Sequence, residues 1–209
     1  MSDLNAVSKA TIILRGFDYN QIRNVLSILS ESRINSVEIS LTDKESKKNI
    51  ELAVKEFGDK VSLGAGTVLN KEDLIDVINL GVKFVLSPIM FTEDMFDICA
   101  KNNIVSVPGA FTPTEAYECF KSGADIVKIF PAAVVSPRFF KDIKAPIPDF
   151  KLMAVGGVNI QNSQKFLELG ADYLGIGSGM FDKKDIVEGN YEGLKNRIAM
   201  LEHEIYRCK

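Results

Sequence analysis

Two charged residues stand where apolar ones would be ordinary: Lys128 within Ile126-Val127-Lys128-Ile129-Phe130-Pro131, and Glu38 within Ser36-Val37-Glu38-Ile39-Ser40-Leu41. Both runs read as strands, and side chains on a strand alternate between its faces. Ile126, Lys128 and Phe130 therefore share one face, opposite Val127 and Ile129. An amine on the interior face loses hydration and its pKa falls, so the free base becomes available to attack a ketone. The competing reading is a lysine whose head reaches back to the rim, although Phe130 and Pro131 leave little open rim. Glu38 shares its face with Ser36 and Ser40. Beside an imine-forming lysine, a carboxylate can relay protons during dehydration of the carbinolamine and take the proton at C3. Alternatively, it is an inward ion pair with Lys128 or Arg15 and moves no proton.

Other residues suit the ends of a substrate. Gly156-Gly157-Val158 and Gly177-Ser178-Gly179 offer backbone N–H groups that a phosphate can approach closely. Either glycine pair alone is a tight turn as readily as an anion site. Gly64-Ala65-Gly66-Thr67 leaves space beside a strand end and places a hydroxyl there, which serves equally as a neighbour to a helix cap. Arg15, followed by Gly16, can hold a carboxylate by two parallel hydrogen bonds, or pair with Glu38.

The elements that must position these groups alternate along the chain. Val- and Ile-rich runs predict strands near 11–15, 35–41, 61–66, 83–87, 104–107, 125–130, 151–155 and 172–176. Runs of period near 3.6 predict helices near 18–31, 44–57, 70–80, 92–102, 112–122, 159–169 and 191–207. Pro137, Pro146 and Pro148 allow only a short helix, near 136–144. Asn70 and Thr112 read as N-caps, with Asp73 and Glu115 at capping-box spacing, and Gly81, Gly123 and Gly170 as helix ends. Leu80-Gly81-Val82, Ser122-Gly123-Ala124 and Leu169-Gly170-Ala171 repeat one phrase, closing a helix and opening a strand. Eight strand-helix units, with no linker and no shift of composition, predict an α/β fold: a (β/α)8 TIM barrel forming a single domain over 1–209. In such a barrel the chemistry belongs at the C-terminal ends of the strands. A phosphate site falls in the loops after strands seven and eight, where the two glycine pairs lie.

The composition narrows the partners. The 209 residues carry 25 basic and 28 acidic side chains, a net charge of −3, which gives no sustained positive field for nucleic acid or an anionic membrane. No apolar run reaches the ~20 residues of a membrane span, and a cytoplasmic protein is expected. Cys99, Cys119 and Cys208 are widely spaced and read as reduced thiols. With His203 the sole histidine and no CxxC pair, the usual ligands of a zinc site are missing, so no metal is expected.

In this order and at these intervals, Ile13-Leu14-Arg15-Gly16, Val37-Glu38-Ile39, Gly64-Ala65-Gly66-Thr67-Val68-Leu69, Ser87-Pro88, Pro108-Gly109, Lys128-Ile129-Phe130-Pro131, Gly156-Gly157-Val158 and Gly177-Ser178 make a specific set. Over nearly its whole length the chain resembles the aldolases of 2-keto-3-deoxy-6-phosphogluconate and 4-hydroxy-2-oxoglutarate, with their phosphogalactonate-cleaving relatives. The resemblance implies a class I carbon–carbon lyase that reversibly cleaves a 2-keto-3-deoxy-6-phosphosugar acid to pyruvate and glyceraldehyde 3-phosphate. It implies that Lys128 forms the imine and Glu38 acts as general acid/base. Thr67 and the Pro88 region would line the keto-acid site, Phe130 would pack beside the imine, and Gly156, Gly157 and Ser178 would hold the phosphate. It further implies a homotrimer that needs no metal or organic cofactor, although no apolar surface stripe in the sequence demands a trimer.

Two departures bear on the substrate. Where the phosphogluconate-cleaving members carry Arg four residues after the Glu, this chain has Thr42, which leaves the carboxylate to another group such as Arg15. Where they carry Thr-Gly-Gly, it has Val155-Gly156-Gly157. Both lean toward the phosphogalactonate branch. Competing expectations are a 4-hydroxy-2-oxoglutarate aldolase, a phosphosugar epimerase or isomerase barrel, and a barrel that binds ligands without catalysis.

Overall fold

The structure, a computed structural model, describes residues 2–207. Cys208, read above as a reduced thiol, lies outside the described residues. Nine parallel strands form one sheet: β1 (Ala10–Leu14), β2 (Ser36–Ser40), β3 (Ser62–Gly66), β4 (Phe84–Leu86), β5 (Val105–Val107), β6 (Gly109–Ala110), β7 (Val127–Ile129), β8 (Leu152–Val155) and β9 (Tyr173–Ile176). Between and after them run helices α1 (Tyr19–Leu29), α2 (Ser46–Phe57), α3 (Lys71–Asn79), α4 (Glu93–Lys101), α5 (Pro113–Lys121), α6 (Arg138–Lys144), α7 (Ile160–Glu168), α8 (Lys183–Glu188) and α9 (Tyr191–Tyr206). No helix among the described residues is long and apolar enough to cross a membrane.

The strand order β5-β4-β3-β2-β1-β9-β8-β7-β6 ends on two strands that are neighbours in the chain. Pro108 separates them, and because proline has no N–H it interrupts the ladder. The ring closes across this break: the N–H groups of Ile126, Lys128 and Phe130 donate to the carbonyls of Ser106, Pro108 and Ala110 at 3.1, 2.9 and 3.0 Å. β5 and β6 together thus take the fifth of eight positions in a TIM-like barrel, as the alternation predicted.

Strand parity divides the core into two layers. Leu14, Val37, Ile39, Val127, Ile129, Leu152 and Ala154 pack outward with the helices. Phe84, Leu86, Val105, Val107, Ile126, Met153 and Val155 fill the barrel, with Ile13, Phe130 and Tyr173 against them. Leu4, Ala6 and Val7 join this inner cluster, so the N-terminal segment packs onto the barrel interior. Lys128 and Glu38 belong to strands that stand four positions apart in the ring, on opposite sides of the interior.

Helix ends follow the expected punctuation. Thr112 accepts from the Glu115 N–H and Glu115 reaches back to the Thr112 N–H, a complete capping box. Asn70 caps α3 through the Asp73 N–H at 2.8 Å. Gly81, Gly123 and Gly170 lie at φ of 93°, 95° and 109°, a region open to glycine at little cost. The helix α8 was not anticipated. It has six residues, and Ile186 is its one buried side chain, so it carries no apolar stripe to read.

Candidate active site

The interior face of β2 carries Glu38, which is 2% exposed, with Ser40 beyond it. The Ser40 hydroxyl donates to Glu38 Oε1 at 2.6 Å, and Arg15 Nε lies 3.5 Å from the same Ser40 oxygen. The carboxylate fits because the next strand gives way. A Cβ on Gly66 would lie 1.8 Å from Glu38 Oε1, and one on Gly64 would lie 2.2 Å from the Phe84 ring. The space that Gly64-Ala65-Gly66 leaves is therefore filled from within, by a carboxylate and an aromatic ring. Neither the Lys128 nor the Arg15 pairing proposed for Glu38 forms an ion pair among the described residues.

Lys128 is 5% exposed on the interior face of β7, as parity required. Its Nζ lies 4.9 Å from the centre of the Phe130 ring, whose face attracts a cation. Burial lowers the Lys128 pKa to about 8; the Glu38 carboxylate opposes this shift and Arg15 reinforces it. Burial likewise raises the Glu38 pKa, against the pull of Lys128, the Ser40 hydrogen bond and Arg15. Each group is thus moved toward its neutral form, in an interior that water reaches poorly.

Lys128 and Glu38 are not themselves walls of the cavity of about 440 Å³ that opens next to Arg15 and Phe130, whose walls also include Val155, Gly156, Gly157, Gly177 and Ser178. The loops after β8 and β9 form one side of it. Gly156 and Gly157 lie at φ of 92° and 77°, and a Cβ on Gly157 would lie 2.3 Å from Ala133 Cβ. Carbonyls of these loops are engaged within the protein: Gly156 accepts from the Ala133 N–H at 2.9 Å, and Gly157 from Asn162 Nδ2 at 2.9 Å. Arg197, from α9, donates to the carbonyls of Gly179 and Met180 at 3.3 and 2.8 Å. By contrast, the N–H groups of Gly156, Gly157, Ser178 and Gly179 meet no acceptor among the described residues. Backbone donors left open while the carbonyls are tied elsewhere make a cradle for an anion.

Thr67 and Pro88 are not among the walls of this cavity. Both lie instead beside residues that adjoin Glu38 and Lys128. Thr67 follows Gly66 and sits at φ 58°, a conformation costly for a branched side chain and held where the surroundings enforce it. A Cβ on Gly109 would lie 2.5 Å from the Pro88 carbonyl, and Gly109 is the residue paired with Lys128 across β6 and β7.

Ser40 and Lys183 are the site residues that sequence reading assigned no chemistry. Ser40 had a signal, since it shares the interior face with Glu38. Lys183 had none, because its helix was not foreseen.

A family model described as the KDPG and KHG aldolases matches residues 6–197. The 2-dehydro-3-deoxy-6-phosphogalactonate aldolase of Escherichia coli (strain K12) is 30% identical over 177 residues, 84% of this chain and 86% of that protein. A probable 2-dehydro-3-deoxy-6-phosphogalactonate aldolase of Rhizobium meliloti (strain 1021) is 33% identical over 170 residues, 81% of this chain and 80% of its own length. Among solved structures, a KDPG aldolase from Legionella pneumophila with pyruvate captured as a covalent carbinolamine intermediate superposes with a TM-score of 0.84. It is 25% identical, and the match covers 94% of this chain and 95% of that one.

Proposed function

Because the chain belongs to the family of KDPG and KHG aldolases, we propose that Lys128 is its imine-forming nucleophile and Glu38 its general acid/base in cleaving a 2-keto-3-deoxy-6-phosphosugar acid. The observation that carries this reading is the pairing of a buried amine with a buried carboxyl, each moved toward its neutral form, with a cavity lined by open backbone donors next to Arg15 and Phe130. Neutral Lys128 adds to the C2 carbonyl, and Glu38 supplies the proton with which the carbinolamine hydroxyl leaves as water. The iminium then draws in the electron pair of the C3–C4 bond while the C4 hydroxyl gives its proton to Glu38. That step releases glyceraldehyde 3-phosphate and leaves an enamine. Protonation at C3 and hydrolysis return pyruvate and the free amine.

Arg15 is the group proposed for the substrate carboxylate, and Gly156, Gly157, Gly177 and Ser178 for the phosphate. Thr67, Pro88 and Phe130 are proposed to flank the keto acid, and Val155 to face C4. The phosphogalactonate configuration is favoured by Thr42 and Val155, and by the two relatives of 30% and 33% identity that carry that name. Pyruvate release, coupled to lactate dehydrogenase, is expected with both C4 epimers and faster with the galactonate form. Borohydride added with pyruvate should leave an adduct on Lys128. Failure of both assays would remove the reading, and faster cleavage of the gluconate epimer would reverse the branch.

A cytoplasmic homotrimer is part of the same proposal. Leu69, Ile89, Met90, Phe111 and Val134 are exposed on successive loops after β3, β4, β6 and β7, an apolar surface suited to contact between copies. Sedimentation should give three times the 23.1 kDa chain mass, whereas a monomer would sink the trimer.

A further inference from the structure

The cavity next to Arg15 and Phe130 carries two cations on its walls, Arg15 and Lys183, and no carboxylate among the described residues. They stand with different parts of it. Arg15 follows β1 and approaches Ser40, next to Glu38. Lys183 opens α8, four residues beyond the Gly177-Ser178-Gly179 loop with its open N–H groups.

The surroundings of Lys183 give it no structural partner. Its neighbour Lys184 reaches Glu188 at 3.9 Å one turn along the helix, while Lys183 forms no ion pair among the described residues. The Asp182 carboxylate is turned to the helix, accepting from the Lys184 N–H at 2.9 Å. A lysine in the first turn also opposes the helix dipole, so the stability of α8 does not account for it.

We infer that Lys183 is a specificity-determining cation that favours a substrate ending in phosphate over its unphosphorylated counterpart. The inference rests on the phosphosugar reading above and deepens it. The backbone N–H groups fix the position of an anion but carry no net charge. A phosphate dianion gains most from a full positive charge added to that cradle, and a neutral hydroxymethyl end gains little. Lysine serves here as a flexible point charge reaching in from the cavity edge.

The test compares kcat/KM for a 2-keto-3-deoxy-6-phosphosugar acid and for the same acid without phosphate, in wild type, Lys183→Ala and Lys183→Arg. The ratio of the two values is expected to fall roughly tenfold to hundredfold in Lys183→Ala, the scale of a charge-assisted hydrogen bond, and to recover in Lys183→Arg. An unchanged ratio in Lys183→Ala would overturn the inference, as would an equal fall for both substrates. Calorimetry with inorganic phosphate supplies a readout without turnover, and weaker binding by Lys183→Ala is expected. If wild type cleaves neither acid, the aldolase reading fails, and phosphate binding alone then decides the role of Lys183: equal binding by both proteins refutes it.

Discussion

Replacing Lys128 by methionine is expected to abolish aldol cleavage and, at neutral pH, to make the fold more stable. Loss of the nucleophile removes every step that follows the imine, and a drop of about 10⁴–10⁶ in kcat is the scale on which such removals act. The gain in stability follows from the same burial. Lys128 has a folded pKa of about 8, below the ordinary lysine value. Folding at pH 7 therefore has to strip water from an ammonium ion, at a cost on the order of 3 kcal/mol. That cost is fully present below about pH 8, fades as the pH climbs toward the unfolded value, and is absent above it. Methionine keeps the bulk and carries no charge. Denaturant unfolding should show a higher midpoint for Lys128→Met at pH 7, with a difference that narrows as the pH rises past about 8 and is gone above the ordinary lysine value. In the wild type, trapping of pyruvate by borohydride should accelerate with pH and level off past about 8. A variant that is inactive and also less stable at pH 7 would mean that Lys128 holds the barrel together and is not strained for chemistry.

The inward placement of Lys128 and Glu38 is legible in the sequence. Alternation of side chains along a strand is a local rule, and in the segments around Lys128 and Glu38 every second residue is aliphatic, so the inward face could be assigned from parity alone. The glycine pair after β8 was legible for a similar reason, since glycine at positive φ leaves a mark in the sequence. Contacts between distant segments were not. That Gly66 makes room for the Glu38 carboxylate, or that Gly109 lies against the Pro88 backbone, depends on strand neighbours whose spacing no local pattern encodes. Ser40 illustrates the limit. Its face was read correctly, but its 2.6 Å bond to Glu38 requires the rotamers of both side chains. The loops after β3, β4, β6 and β7 that carry exposed apolar residues are scattered in sequence, and only the strand order of the barrel sets them next to one another. The fifth strand, expected at 104–107, continues past Pro108 as a second short piece, because a proline breaks the ladder without ending the strand's course.

Changing Glu38 to glutamine separates the two readings of that residue. As general acid/base, its loss should lower kcat by about 10²–10⁴ at every pH, the usual contribution of a positioned proton-transfer group. If Glu38 acts only as a charge beside Lys128, the prediction is different. The carboxylate opposes the fall of the Lys128 pKa, so glutamine should let that pKa drop further. The amine would then be neutral at lower pH, and borohydride trapping of pyruvate would begin at lower pH than in wild type. A purely electrostatic Glu38 would leave turnover near the wild-type level wherever the amine is neutral. Loss of a relay would slow both at every pH, trapping because the carbinolamine must first lose water and turnover because C3–C4 cleavage needs the same proton transfer. Gly66→Ala probes the same group without altering its charge, because the added Cβ would overlap Glu38 Oε1, and the carboxylate must swing away from Ser40. Turnover in Gly66→Ala is expected to fall toward that of Glu38→Gln. Near-normal turnover in both variants, with only the trapping profile moved, would assign Glu38 to tuning the amine and leave the proton relay to another group.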